Sequence, residues 1–414
     1  MRLSDVDLVN YDNYVDAVPL EMFDLLRREA PVYWHDEPPP NHGFWAVTKH
    51  EDVVSVHLDV ETYSSELGAV SIEELDPEQV EIRKSMIDMD PPRHTELRVP
   101  INRRFTPRSV AAYESQIRPL ARQIVEEALA KGEVDFALEI AMQLPIRVLC
   151  WMLGVPDADG RKLVEWGNAL FGNTDPEYSK LVVDKEDTEP YRLLPFRSPD
   201  GAELFAYAGR LVEDRQRAPG SDIVTMLLDA RLEGRPLTDR ELKNNFQLLV
   251  VAGNETTRHA ISHGMLALID HPDQMRRLRD DRSLMPVAVE EILRWATPIY
   301  QFRRTATRDA EVRGRRIRKG DKVVAWYISA NRDEDAFDDP YRFDVARYPN
   351  DHATFGPGGP HYCLGAHLAR LEIRLMFEEL LPRVGHIELP GPVERLRSNF
   401  INGIKHMPVR IEPA

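Results

Sequence analysis

The run Phe355-Gly356-Pro357-Gly358-Gly359-Pro360-His361-Tyr362-Cys363-Leu364-Gly365 brings a thiol to the end of a loop rich in glycine and proline. Beyond it Leu364, Leu368, Leu371, Leu375, Met376 and Leu380 recur at helical spacing, which predicts a helix with Cys363 at or near its N-terminus. The helix dipole and the free loop amides there favour thiolate over thiol. Such a thiolate ligates a soft or borderline metal, and one use is as the axial ligand of haem iron, where it favours O–O cleavage. The loop alone leaves two plainer readings open: a cysteine acting as a small buried hydrophobe, or a loop that binds phosphate or merely turns. A zinc site on His361 and Cys363 lacks a second ligand pair nearby.

A second set of unusual residues lies a hundred positions earlier. Thr238 and Glu241 form a capping box, and Pro272 marks a stop, which predicts one helix from Thr238 to about His271. At about 1.5 Å per residue it spans nearly the whole protein. Its apolar stripe runs through Phe246, Leu249, Val250, Ile261 and Leu268 and is broken by Gly253, Glu255 and Thr256. Glycine in mid-helix costs up to about 1 kcal/mol, and a buried acid costs more unless it is paired. Either these departures mark a site on a kinked helix, or Glu255 turns to solvent.

The elements that must position these groups are mostly helical. Arg98 to Glu241 reads as helices punctuated by glycine and proline, with Pro190 to Gly201 a mobile connection. Pro31–Trp34 and Phe44–Val47 read as strands joined by a turn at Pro38–Gly43; residues 306 to 348 return to short strands. Leu67 to Met89 is an acidic loop or broken helix. The expectation is a single domain over residues 1–414, mainly α, with a large helical part and a small β-rich part.

Composition narrows the class. Apolar residues make up 43% and charged residues 29%, as in a globular protein with a large core. A formal net charge of −16 speaks against nucleic acid as a partner. No targeting run or membrane-length apolar stretch is evident, so a cytoplasmic protein without a membrane anchor is expected. Two cysteines argue against a disulfide framework, and Cys150, in an apolar run, reads as packing.

Taken in order, four motifs make the chain resemble the cytochrome P-450 family of haem-thiolate monooxygenases. They are His94-Thr95-Glu96-Leu97-Arg98 after Asp90-Pro91-Pro92, Ala252-Gly253-Asn254-Glu255-Thr256, Glu291-Ile292-Leu293-Arg294, and the cysteine loop. One departure is visible. The family places phenylalanine seven residues before the cysteine; here Gly356 holds that place and Phe355 lies one further back, so the loop is one residue longer. Bacterial members acting on sterols, methyl-branched lipids and terpenes look similar.

The resemblance implies haem b as cofactor, with Cys363 as its iron ligand and His94, Arg98, Arg304 and His361 binding its propionates. Phe355, Gly365 and Ala252 line the cofactor site. Thr256 and Glu255 serve the oxygen chemistry, as a hydroxyl hydrogen-bond donor and a proton-supplying acid. Glu291 and Arg294 form a structural ion pair, with Arg342 as third member and Arg347 as the alternative. Leu248, Val251, Ile299, Tyr300, Phe400 and Ile401 are implied pocket positions, so the substrate is hydrophobic. The chain has no room for a flavin or nicotinamide domain. The resemblance therefore implies electrons from NAD(P)H through a ferredoxin reductase and a ferredoxin, steered by Arg103, Arg104, Arg108, Arg370 and Arg374. A peroxide-driven enzyme and a haem-based binding or sensing protein without turnover are the rival readings.

Overall fold

The computed structural model describes residues 1–39 and 41–414, and about 51% of them are helical. Pro40, in the turn expected at Pro38–Gly43, lies outside the described residues. The longest helix runs uninterrupted from Asp239 to Asp270 through the middle of the molecule. Its start obeys the sequence signal. Glu241 N donates to Thr238 Oγ1 at 3.2 Å, and Thr238 N donates to a Glu241 carboxylate oxygen at 2.7 Å. Both Nη atoms of Arg235 also donate to Glu241, at 2.8 Å each. These contacts hold its carboxyl down at about 2.

Gly253 does not kink this helix. A Cβ there would lie 2.9 Å from Leu149 Cδ1, so the missing side chain lets the helix Gln143–Leu153 pack close. The latter helix holds Cys150, which is buried and whose thiol is pushed up to about 12 by that burial. Contrary to the sequence expectation, Phe136–Leu153 is apolar and long enough to cross a membrane by length and composition alone, but 67% of it is buried inside the protein.

Further helices pack against the central one, among them Gly160–Phe171, Asp200–Arg217, Met285–Ala296 and Ala366–Leu380. Together they enclose the main hydrophobic core, which includes Phe246, Ile261, Leu268, Ile292 and Phe377. A five-stranded sheet stands beside the helices in the order Val32–His35, Phe44–Val47, Lys322–Trp326, Gln301–Ala306, Tyr63–Ser64. Its register sets Val323 opposite Arg304 and Val324 opposite Arg303. Successive strand residues face opposite ways, so these two arginines are dealt to different faces.

Leu67 to Met89 contains a short helix, Pro77–Arg83, within irregular chain. The Pro190–Gly201 connection is fastened rather than free. Arg192 bonds Asp76 at 3.0 Å and Arg197 bonds Glu73 at 2.6 Å, while Gln79 and Arg83 donate to the Arg192 carbonyl. Charged pairs thus strap two irregular segments together where both line a large cavity.

Candidate active site

That cavity has a volume of about 1230 Å³. This exceeds the 300–1,000 Å³ of ordinary small-molecule sites, leaving room for a cofactor and a substrate together. One wall is the central helix, with Leu248, Val251, Ala252 and Thr256 facing inward; the other is the loop from Phe355 to Gly365. Ile299 and Phe400 close a third side.

The cysteine loop is shaped by its glycines. Gly356, Gly358 and Gly359 all have positive φ. At Gly359 a Cβ would also come within 3.0 Å of the His57 carbonyl. The turn ends with Cys363 N donating to the Phe355 carbonyl at 2.8 Å, and the helix Ala366–Leu380 then starts with Gly365 as N-cap. Phe355 contacts the thiol's loop through this carbonyl, while its ring lies beneath the Arg370 guanidinium at 4.5 Å. Cys363 is exposed by area, but the space it meets is the cavity inside the protein. Burial there pushes its thiol up, against the pull of the Gly365 amide, Arg98 and Arg370. A Cβ at Gly365 would meet no protein atom within 4 Å, which leaves the cavity beside the sulfur open.

At the cavity edge stand four basic side chains: His94, Arg98, Arg304 and His361. The two imidazoles lie 4.3 Å apart between centroids, and His94 Nδ1 and His361 Nε2 are buried without a hydrogen-bond partner. Arg98 donates to the Tyr362 carbonyl at 2.6 Å. Arg304 donates to the Arg303 carbonyl at 2.8 Å and to His57 Nδ1 at 3.2 Å. An arginine can only donate, so His57 carries its proton on Nε2 and donates it to Tyr327 Oη at 2.7 Å. Burial, then repulsion from neighbouring cations, lowers His94 to about 4 and His361 to about 2, and burial lowers Arg304. Among the described residues no carboxylate pairs with any of the four. The cluster therefore fits an anionic group that the chain does not supply, and the two propionates of haem are such a group.

The central helix holds a surprise. Thr256 lines the cavity, its hydroxyl bonded to the Ala252 carbonyl at 3.0 Å. Glu255 faces neither solvent nor cavity. It is 1% exposed, and its Oε2 lies 3.0 Å from Arg258 Nη2 and 3.3 Å from His259 Nε2. Asn254 donates to its other oxygen at 3.0 Å, and Arg258 goes on to Asn168 at 3.1 Å and Tyr178 at 3.3 Å. Burial alone would raise the Glu255 carboxyl, but Arg258 and His259 outweigh it and hold it lowered, hence ionised. Glu255 is thus a buried, ionised ion-pair member rather than a solvent-facing side chain. Arg258 and His259 were passed over, although their i,i+3 and i,i+4 spacing from Glu255 was a usable signal.

Three further placements differ from expectation. Tyr300 points away from the cavity, its ring tilted against Tyr14 at 5.2 Å and its hydroxyl donating to Asn402 at 2.9 Å. Ile401 is fully buried core, bridged to Ile299. Their neighbours Ile299 and Phe400 take the inward positions. Arg342 does not reach Glu291; Arg347 does, at 3.1 Å. Glu291 and Arg294 pair at 2.7 Å, and the Arg342 carbonyl merely accepts from Arg294 and Arg347. Of the proposed basic patch, Arg370 is bidentate to Glu290 at 2.7 and 2.8 Å and Arg374 pairs with Glu378 and Glu114.

The cytochrome P450 family model matches residues 39–390, and the chain belongs to that family. It is therefore a haem-thiolate monooxygenase carrying protoporphyrin IX iron and acting with O2 on a hydrophobic substrate. It is 41% identical over 418 residues to the methyl-branched lipid omega-hydroxylase of Mycobacterium tuberculosis, covering 98% of this chain and 95% of that protein. It is 38% identical over 417 residues to the steroid C26-monooxygenase of Rhodococcus jostii, covering 99% and 85%. A Mycobacterium marinum cytochrome P450 solved in complex with pseudoionone superposes with a TM-score of 0.89 at 40% identity, covering 98% of both chains.

Proposed function

We propose that this cytoplasmic protein acts as one unit that hydroxylates an aliphatic C–H bond of a terpenoid, steroid or methyl-branched lipid, using electrons passed from NAD(P)H by a ferredoxin reductase and a ferredoxin. The carrying observation is the set of four basic groups without a carboxylate, at the edge of a cavity that also contains the Cys363 thiol. Cys363 would hold the haem iron, and His94, Arg98, Arg304 and His361 the propionates. When bound, the haem supplies an electron-rich iron at which O2 is activated.

The chain's own residues do the rest. Leu248, Val251, Ile299 and Phe400 present apolar surface that binds the substrate, excludes water and orients one end of it toward the sulfur side. Thr256 holds a hydroxyl proton at Oγ1 on the opposite wall and can turn it from the Ala252 carbonyl into the cavity. Glu255, tied to Arg258 and His259, fixes the helix segment that carries Thr256. Arg103, Arg104 and Arg108 take no part in an ion pair among the described residues and are the free remainder of the basic patch for an acidic ferredoxin. Hydrophobicity of the lining and the names of the two relatives support the substrate class.

The test is a spectral screen. The haem-loaded protein, reduced under CO, is expected to show the thiolate band. Terpenes, sterols and branched fatty acids are then tried for a low-to-high spin shift, and the hits for oxygenated product with NADH, reductase and ferredoxin. No thiolate band, or spin shifts without product under any partner pair, would overturn the proposal.

A further inference from the structure

The polar lining of the cavity changes character along its length. At the haem edge four basic groups stand without a carboxylate, whereas the far end is lined by Glu37, Glu73, Glu74, Asp76 and Asp184. The cations near these acids are already engaged. Arg83 and Arg197 both hold Glu73, at 3.1 and 2.6 Å, and Lys322 is shared by Glu37 and Glu74 at 2.5 and 2.9 Å. Asp76 meets Arg192, Asp184 meets Arg397, and His42 lies 3.8 Å from Glu74.

One uncharged group in this lining stands apart. Gln301 is 2% exposed, and its Oε1 is buried with no hydrogen-bond partner. A buried amide ordinarily has one. Gln301 opens the strand Gln301–Ala306, where alternation gives it the same face as Arg303 and Thr305. The register sets Trp326 and Lys322 on that face too, opposite Gln301 and Thr305, and Lys322 carries the cavity-lining Glu37 and Glu74. Gln301 therefore belongs to the acidic end, three residues and roughly 10 Å along the strand from Arg304 at the haem edge. Trp326 also has a buried, partnerless Nε1, but indole can only donate, so the amide hydrogens of Gln301 stay free for a ligand oxygen. Arg303 does not line the cavity. It donates to the Glu73 carbonyl at 3.0 Å and to Thr305 Oγ1 at 3.4 Å, and burial lowers its basicity against the pull of Glu74, Glu37 and Glu73.

We infer that the far end of the cavity selects the substrate by its polar group: the Gln301 amide takes an uncharged oxygen, an alcohol hydroxyl or a ketone, and the acidic lining turns a free carboxylate away. The inference rests on the monooxygenase reading above and narrows its substrate class to neutral alcohols and ketones. A hydroxyl entering here exchanges a hydrogen bond to water for one to the amide. A carboxylate would lose its water beside Glu37, Glu73 and Glu74 with no free cation to replace it. A ligand lacking the oxygen leaves the amide unpaired, which is how a buried polar group discriminates. With its oxygen held on Gln301, the substrate keeps its hydrocarbon end for the sulfur side.

The experiment uses the haem-loaded full chain and four ligands built on one branched hydrocarbon skeleton, ending in an alcohol, a ketone, a carboxylate or a plain methyl group. Each is titrated by its spin shift at about pH 8, where the acid is ionised. The alcohol and the ketone are expected to bind roughly tenfold more tightly than the hydrocarbon, the worth of one hydrogen bond, and the acid most weakly. In Gln301→Leu the ratio of hydrocarbon to alcohol Kd should fall to near one, and Gln301→Asn should keep part of it. Glu74→Gln leaves Lys322 with a single carboxylate and should bring the acid several-fold closer to the alcohol. Ratios within one preparation do not depend on how much of a variant folds. An acid bound as tightly as the alcohol, or an undiminished ratio in Gln301→Leu, would overturn the inference. If the thiolate CO band and oxygenated product persist alongside that result, Gln301 alone falls. No spin shift from any of the four brings down the parent reading with it.

Discussion

Two clusters of basic side chains in this molecule are satisfied in opposite ways. Around Glu291, the guanidinium of Arg294 pairs at 2.7 Å and also donates to the Asn331 and Pro340 carbonyls, while Arg347, Asn350 and the Asp344 amide complete the carboxylate. At the cavity edge, His94, Arg98, Arg304 and His361 face each other with nitrogens left over. A cluster closed by the chain's own groups holds a fold together. One left open, with only His94 and Arg304 fully buried, is built for something that arrives later.

The largest effect expected is at the sulfur. Cys363→Ala should abolish the thiolate CO band and all product formation, while Cys150→Ala, at the other and buried cysteine, leaves the band in place. The closed cluster should fail next: Glu291→Ala leaves two buried arginines unpaired and should cost about 3–5 kcal/mol in chemical denaturation. The open cluster should behave inversely. Arg98→Met should leave the cofactor-free protein as stable as before, or more so, and weaken haem retention by roughly tenfold to a hundredfold, the worth of a charge-assisted hydrogen bond. Equal destabilisation by both substitutions would erase the distinction.

Thr256→Ala should keep substrate binding, read as the spin shift, while diverting most electrons to released hydrogen peroxide; unchanged coupling removes Thr256 from the chemistry. The smallest effect concerns Glu290. Burial would raise its carboxyl, but His352 and Arg370 overcome that and hold it at about 2. Since the folded value lies below the unfolded one, its stabilisation is full above about pH 4.3 and fades as pH falls toward 2. Glu290→Gln should flatten that part of the acid-unfolding curve.

What was legible in the sequence was what local rules fix. The Thr238–Glu241 cap and the helix after Cys363 follow from spacing and turn chemistry, whereas Arg304 came only from the resemblance. What was not legible depends on which of several equal candidates the fold brings near. Arg342 and Arg347 differ by five residues on an irregular segment, and nothing local says which one reaches Glu291. The partners of Glu255 went unread for the opposite reason: they lie three and four residues on, a plain helical pairing that the motif overshadowed. Tyr300 and Ile401 each adjoin a residue that lines the cavity, and nothing local says which of the two turns inward.

His57 ties the two halves of the grip into one part. Its carbonyl backs Gly359 in the sulfur loop, its Nδ1 anchors Arg304, and Tyr327 fixes its ring. Loop and edge are therefore bolted to a common hinge pin, and whatever pushes on one is felt by the other. A methyl group added at position 359 would strike that pin, loosening the clamp on the sulfur and the clamp on the far rim in a single blow.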